Sequence, residues 1–201
     1  MSTTTAEVGL RERKKAATRQ ALYEAAMRLA IAHGPDKITV EAVADAAGVS
    51  RRTFSNYFGS KEEALLYGEY QRIHLLIEQV RARPADEELW PALTAAAEQF
   101  YLKLGDLDPH WVAQSRLVRT QPALVAAQVQ TFAALERDLS AEIAARSGGD
   151  PASVRVRMTS AAFLASLRVA LHIWLDRPPG TVLWDLVSET LAEAGRGFAG
   201  N

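Results

Sequence analysis

No cysteine occurs among the 201 residues, which excludes a disulfide framework, thiolate-bound zinc and thiol catalysis together. The four histidines, His33, His74, His110 and His172, show no ligand spacing. G-x-S-x-G, H-E-x-x-H, the Walker loop and the dinucleotide glycine pattern are all missing. No catalytic residue, metal ligand or cofactor is therefore expected, and the chain does not read as an enzyme. Alternating strand patterns are absent too, while Ala, Leu, Arg and Glu dominate, so the expected fold class is all-α. The opening MSTTTAEVGL lacks the basic start and apolar run of a secretory signal. Charges such as Arg168 interrupt every candidate for the roughly 20 apolar residues that span a bilayer. The expectation is a soluble, cytoplasmic protein with no membrane partner.

The charge that is present is unevenly placed. Lys and Arg number 23 against 24 Asp and Glu. Residues 1–61 nevertheless carry ten basic against six acidic side chains, leaving an acidic remainder. A basic module ahead of an acidic body suits phosphate binding, because Lys and Arg contacts supply most nonspecific affinity for DNA.

Three short helices are legible in that basic part. Residues 11–33 follow a polar tail, 1–10, and place Ala17, Ala21, Ala25, Leu29 and Ile31 near one side before Gly34 and Pro35 stop the helix. Thr39 caps a second helix with Val40, Val43, Ala44 and Ala47 as its apolar side. Gly48 turns the chain, Val49 plugs the turn, and Ser50 caps a third helix through Phe58. Ser60 with Glu63 forms a capping box for a fourth.

Two short helices about a glycine turn form a helix-turn-helix, whose second helix enters the DNA major groove. Val49, Phe54 and Phe58 face inward at helical spacing, which leaves Arg51, Arg52, Thr53, Ser55 and Asn56 mainly outside. Arginine grips guanine with its fork, asparagine pairs with adenine, and the threonine methyl touches thymine. Arg11, Arg13, Lys14, Lys15 and Lys61 stand where a backbone clamp needs charge, and the helix starts at Thr39 and Ser60 offer N–H groups to phosphate.

The run KITVEAVADAAGVSRRTFSNYFGSKEEAL, 37–65, resembles the DNA-binding domain of TetR-family transcriptional regulators. The resemblance implies that Thr39, Tyr57 and Lys61 clamp phosphates while Arg51, Arg52, Thr53 and Asn56 face the groove. Ser55 departs from it, since many relatives carry tyrosine there. The implied architecture is an N-terminal three-helix helix-turn-helix domain, 11–59, and a C-terminal effector-binding and dimerisation domain of about six helices, 60–201. The implied function is a homodimeric regulator, a repressor on a palindromic double-stranded DNA operator, released by a small molecule.

Within the body, breakers fall at Arg83-Pro84, Gly105-Asp106, Gln121-Pro122, Gly148 to Pro151 and Pro178 to Gly180. Asp150 with Pro151 reads as the start of a helix that is apolar nearly all round. Met158, Ala161, Ala162, Ala165, Val169 and Ile173 share one side of it, and Phe163, Leu167, Ala170 and Trp174 the other. A monomer covers one of these sides, so the other is expected to meet its twin; TetR-like proteins pair through their last two helices. Ligand-binding candidates are Phe100, Trp111, Arg116, Arg119, Phe132, Phe163 and Trp174. The SRRTFSNYF helix resembles a subgroup with an acyl-CoA-like ligand domain, so the first expectation for the effector is a hydrophobic acyl thioester. The alternative is a small-molecule or acyl carrier with a vestigial helix-turn-helix.

Overall fold

The computed structural model describes the backbone of residues 3–104, 109–178 and 180–197. Nine α-helices and one short 3-10 turn account for most of these residues, and no strand occurs among them. The chain divides into two compact units, Met1–Gly68 with Pro109–Gln128, and Glu69–Asp108 with Val129–Asn201. The sequence places its boundary at residue 60, and two polar contacts join residues 109–128 to the rest of the first unit. In the first unit the Gln114 amide donates to the Leu65 carbonyl, and the Tyr23 hydroxyl reaches Gln114 Oε1 at 3.5 Å. The segment around Gln114 is thereby tied to the helices that carry Tyr23 and Leu65.

The first unit contains α1 (Thr3–His33), the 3-10 turn (Pro35–Lys37), α2 (Val40–Ala46) and α3 (Arg51–Ser55). It also holds the start of α4 (Lys61–Arg81), α6 (Pro109–Thr120) and the start of α7 (Pro122–Ser147). Helix α1 begins at Thr3, so residues 3–10, expected as a tail, continue its helical backbone. Its buried side is Leu22, Tyr23, Ala25, Ala26, Met27 and Ala30, whereas Ala17 and Ile31 are exposed. The apolar stripe is thus rotated from the expected one, because Leu22 and Met27 carry the volume that the core requires.

The second unit comprises the rest of α4, α5 (Leu89–Leu104), the rest of α7, α8 (Val154–Leu175) and α9 (Leu183–Gly195). Leu93, Leu135, Leu139, Ile143, Phe163 and Leu191 are buried in its core. The Trp90 indole donates to the Leu191 carbonyl at 3.1 Å and lies against Gly195, pinning α5 on α9. Arg146 donates to the carbonyls of Arg83, Pro84 and Glu87, which fixes the α4–α5 connection to α7. Hydrogen bonding from Arg83 holds the Glu87 carboxyl below its usual range.

Three sequence expectations are corrected here. Helix α8 starts at Val154 with Ser153 as its cap, not at Pro151, because Asp150 Oδ1 accepts from the Ala152 N–H and closes a turn ahead of the helix. The fourth helix has its cap, Glu63 N–H to Ser60 Oγ at 3.1 Å, but the Glu63 carboxylate accepts from Gly59 rather than from Ser60. By length and composition α8 is long and apolar enough to cross a membrane. Its Phe163, Leu167 and Ala170 face is nevertheless buried in the second unit, as in a core helix. The expected break at Gly105-Asp106 lies outside the described residues.

One face of α8 remains open in the single chain. Val154, Met158, Val169 and Ile173 are 80%, 56%, 42% and 37% exposed, with half-buried Ala161, Ala162 and Ala165 between them.

Candidate nucleic-acid interface

The interface is built on capping chemistry. Thr39, in extended conformation, accepts the Ala42 N–H on its side-chain oxygen at 3.1 Å and starts α2. Gly48 then adopts φ 69, the left-handed region that glycine enters without a Cβ clash. The Val49 N–H donates to the Ala44 carbonyl at 3.0 Å, and Ser50 Oγ accepts the Thr53 N–H at 3.0 Å to start α3. Replacing such a cap by alanine costs about 1 kcal/mol.

Helix α3 has five residues, too short to be stable alone. Its inner side is held by Phe54 and Phe58, both buried, with ring centroids 5.8 Å apart. Phe58 in turn meets the Tyr67 ring edge-on at 5.4 Å. Burying each phenylalanine contributes about 3 kcal/mol, so this pair, rather than the backbone of α3, sets the helix in place.

The outer side carries the side chains that the sequence singled out. Arg51, Arg52, Ser55 and Asn56 are exposed. Arg51 Nε lies 3.1 Å from Glu41 Oε1 on α2, which turns the guanidinium while leaving its two terminal nitrogens outside that contact. Thr53 is half-buried, and its hydroxyl lies 2.9 Å from Ser50 Oγ, so its oxygen belongs to the cap. Thr39 is exposed and Tyr57 half-buried at the edges of the same surface.

Lys61, expected to clamp phosphate, also makes contacts inside the fold. Its ammonium donates to the carbonyls of Pro35 at 2.8 Å and Ile38 at 3.0 Å, joining the first turn of α4 to the segment that leads into α2. Two of its three donors are thus spent inside the fold. Sequence reasoning also missed Arg19, whose guanidinium lies among the rings of Tyr57, Phe58 and Tyr67. The signal was present in RERKKAATR, where Arg19 falls one turn beyond the basic cluster. Arg11, Arg13, Lys14 and Lys15 are exposed on α1.

The ligand candidates divide between the units. Trp111 is buried, and Arg116 and Arg119 are exposed, on α6 of the first unit. Phe100 and Phe163 are buried and Phe132 and Trp174 half-buried in the second. There the Phe163 ring meets Trp90 edge-on, Arg168 lies 6.0 Å over Phe132, and the Trp174 indole donates to the Thr181 carbonyl at 2.7 Å. Tyr101 stacks edge-on against Phe100 and tilts toward Trp184, and burial pushes its phenol above the ordinary tyrosine range. Among the described residues no group of three His, Asp or Glu forms a metal site.

Comparison with known proteins matches both parts of the chain. The family described as "Bacterial regulatory proteins, tetR family" matches residues 22–67, and the MftR C-terminal domain matches residues 87–199. The HTH-type transcriptional regulator TcmR of Streptomyces glaucescens is 34% identical over 176 residues, covering 84% of this chain and 78% of its own. Among solved structures, Thermus thermophilus FadR, a TetR-family repressor in complex with lauroyl-CoA, aligns with TM-score 0.59 at 23% identity over 91% of this chain and 96% of that one. The SmeT–triclosan complex, SmeT being the repressor of a Stenotrophomonas maltophilia efflux pump, aligns with TM-score 0.60 at 16% identity over 90% and 91%.

Proposed function

Because this chain belongs to the tetR family of bacterial regulatory proteins, and is therefore a DNA-binding transcriptional regulator rather than an enzyme, we propose that it is a cytoplasmic homodimeric repressor that leaves a palindromic operator when a hydrophobic effector binds. The observation that carries the reading is the outer face of α3, where Arg51, Arg52, Ser55 and Asn56 stand exposed over the buried Phe54 and Phe58. In this reading Arg52 and Asn56 take base edges, Arg51 shares its charge between Glu41 and a base, and Thr39 and Tyr57 hold phosphates. Thr53 presents its methyl group, and Ser55 a short polar contact, to the groove. Lys61 acts on DNA mainly by fixing the start of α2.

Dimerisation is supported by the open apolar face of α8, whose Val154, Met158, Val169 and Ile173 a second copy would cover. Two-fold symmetry then pairs two α3 helices with half-sites about 34 Å or somewhat more apart. Effector binding in the second unit is supported by its aromatic residues Phe100, Phe132, Phe163 and Trp174, with the neutral Tyr101 phenol as a hydrogen-bond donor. FadR binds lauroyl-CoA and SmeT binds triclosan. An acyl-CoA is the first effector to try here.

Helix α4 runs unbroken from Lys61 to Arg81, and the division between the units falls within it. An effector that prefers one setting of this helix shifts the dimer population toward a state whose two α3 helices are out of register with adjacent major grooves. A preference of about 2.7 kcal/mol changes DNA affinity about 100-fold. The test is release of a fluorescent operator by lauroyl-CoA, by lauric acid and by triclosan. Release by the thioester alone supports the acyl-CoA reading, and release by none contradicts it. Arg52→Ala is expected to relax sequence preference without loss of fold.

A further inference from the structure

We infer that Arg19 is a positioning residue for DNA reading, acting through Tyr57. The inference rests on the DNA-binding role proposed for the α3 surface, and it begins from the geometry of one side chain. The Arg19 guanidinium carbon lies 5.9 Å from the Tyr57 ring centroid, 5.8 Å from Phe58 and 5.5 Å from Tyr67. All three distances fall within the roughly 6 Å over which a cation is drawn to an aromatic face. Arginine cannot shed its charge, and Arg19 Nε is buried with no hydrogen-bond partner. Three rings therefore stand within reach of this charged head.

The three rings come from distinct pieces of the interface. Phe58 and Tyr67 belong to a column of aromatic contacts that includes Phe54 and Tyr23. Tyr57 stands outside that column, half-buried in the turn that follows α3. With only five residues, α3 relies on outside contacts for its setting. Phe54 and Phe58 fix its inner side. Arg19 links that inner column to Tyr57 and ties both to α1, so the ring that carries the proposed phosphate hydroxyl is held from α1 as well as through its backbone bond to Phe54. A planar guanidinium can lie against several rings at once, whereas a lysine ammonium is a compact, strongly hydrated point charge. The half-buried side chain among these rings makes Arg19 a support for a phosphate contact, in contrast to the exposed Arg11, Arg13, Lys14 and Lys15 on the same helix.

The test measures binding of the full-length protein to its selected operator and to unrelated duplex, by fluorescence anisotropy across a salt series. It compares wild type with Arg19→Met, Arg19→Lys, Tyr57→Phe and the double variant Arg19→Met/Tyr57→Phe, with a thermal melt of each. Arg19→Met is expected to weaken operator binding about tenfold, with the slope of log affinity against log salt unchanged, since the contact that weakens is made by the neutral Tyr57 hydroxyl and no cationic side chain leaves a phosphate. Arg19→Lys is expected to recover part of the loss. Tyr57→Phe is expected to cost less in the Arg19→Met background than in wild type, as coupled neighbours do. A slope that falls by about 0.9 in Arg19→Met marks Arg19 as a direct phosphate contact and overturns the inference. Additive losses, or a lowered melting temperature with DNA affinity intact, overturn it as well. Should Arg19→Met fail to fold, Arg19→Lys and its double variant with Tyr57→Phe carry the same comparison. A wild-type protein that shows no preference for any duplex removes the DNA-reading role and this inference together, whereas selective wild-type binding with additive variants removes only the inference.

Discussion

Glu41 on α2 grips Arg51 on α3 through the guanidinium Nε, 3.1 Å from its carboxylate, at the point where α3 begins. Both side chains are more than half exposed, so the pair contributes only about 0–1 kcal/mol to stability. Its weight lies in aiming the arginine fork. Glu41→Gln is expected to shift unfolding free energy by less than about 0.5 kcal/mol while altering base preference in the half-site position that Arg51 meets. Repeating operator selection with the variant checks this, and an identical consensus would contradict it.

Lys61 gives a second outcome. Removing its ammonium leaves the Pro35 and Ile38 carbonyls without that donor, so Lys61→Met is expected to lower the unfolding free energy by about 1–3 kcal/mol in urea titration. Operator and unrelated DNA should weaken together, because the setting of α2 is disturbed. The salt slope should fall by less than the roughly 0.9 of a lost phosphate contact.

Gly68 sits inside α4, where a Cβ would come within 2.6 Å of Tyr23 Cζ and 3.1 Å of Gln114 Oε1. Helix propensity favours alanine over glycine by about 1 kcal/mol. Overpacking against a buried tyrosine costs about 1–3 kcal/mol, so Gly68→Ala should be neutral to destabilising. A clear rise in melting temperature would mean that Tyr23 moves aside freely.

The helix-turn-helix was legible because its signals are local. Thr39 and Ser50 are N-caps, Gly48 turns, and Phe54 and Phe58 lie one helical turn apart, so each could be read within a few residues. The apolar side of α8 opposite Phe163 was legible for the same reason, since a 3.6-residue period needs no partner to be seen. What escaped depends on residues far apart in the chain. Lys61 meets Pro35 and Ile38, Arg19 meets Tyr57 and Tyr67, and Gln114 meets Leu65, pairings that no window of sequence contains. The stripe on α1 was misplaced because alanines mark helical faces weakly, whereas Leu22 and Met27 decide which side the core accepts.

Tyr101 links the second unit to pH. Burial raises its phenol above the ordinary value, with Arg72 opposing in part. A raised value means that the folded chain keeps a proton that the unfolded chain releases near pH 10. Stability from this group is therefore full below about pH 10 and declines above it. Tyr101→Phe is expected to lessen the fall in urea midpoint between pH 9 and pH 11, and an equal fall in both proteins would contradict it.

The open face of α8 predicts the oligomeric state. Met158→Asp and Val169→Asp place charge on exposed positions, so the monomer fold should persist by circular dichroism. Sedimentation is expected to show wild-type dimers and variant monomers, with operator affinity falling at least tenfold as the two half-sites are uncoupled.

The most direct test of the whole account is selection of binding sites from a random DNA pool by the purified protein at near-physiological salt, run beside Arg52→Ala. The account predicts enrichment of a palindrome with half-sites about one helical turn or somewhat more apart, and a degenerate position in each half-site for the variant. A pool that remains random with wild type, in the presence and absence of candidate effectors, would contradict the assignment of α3 to the major groove.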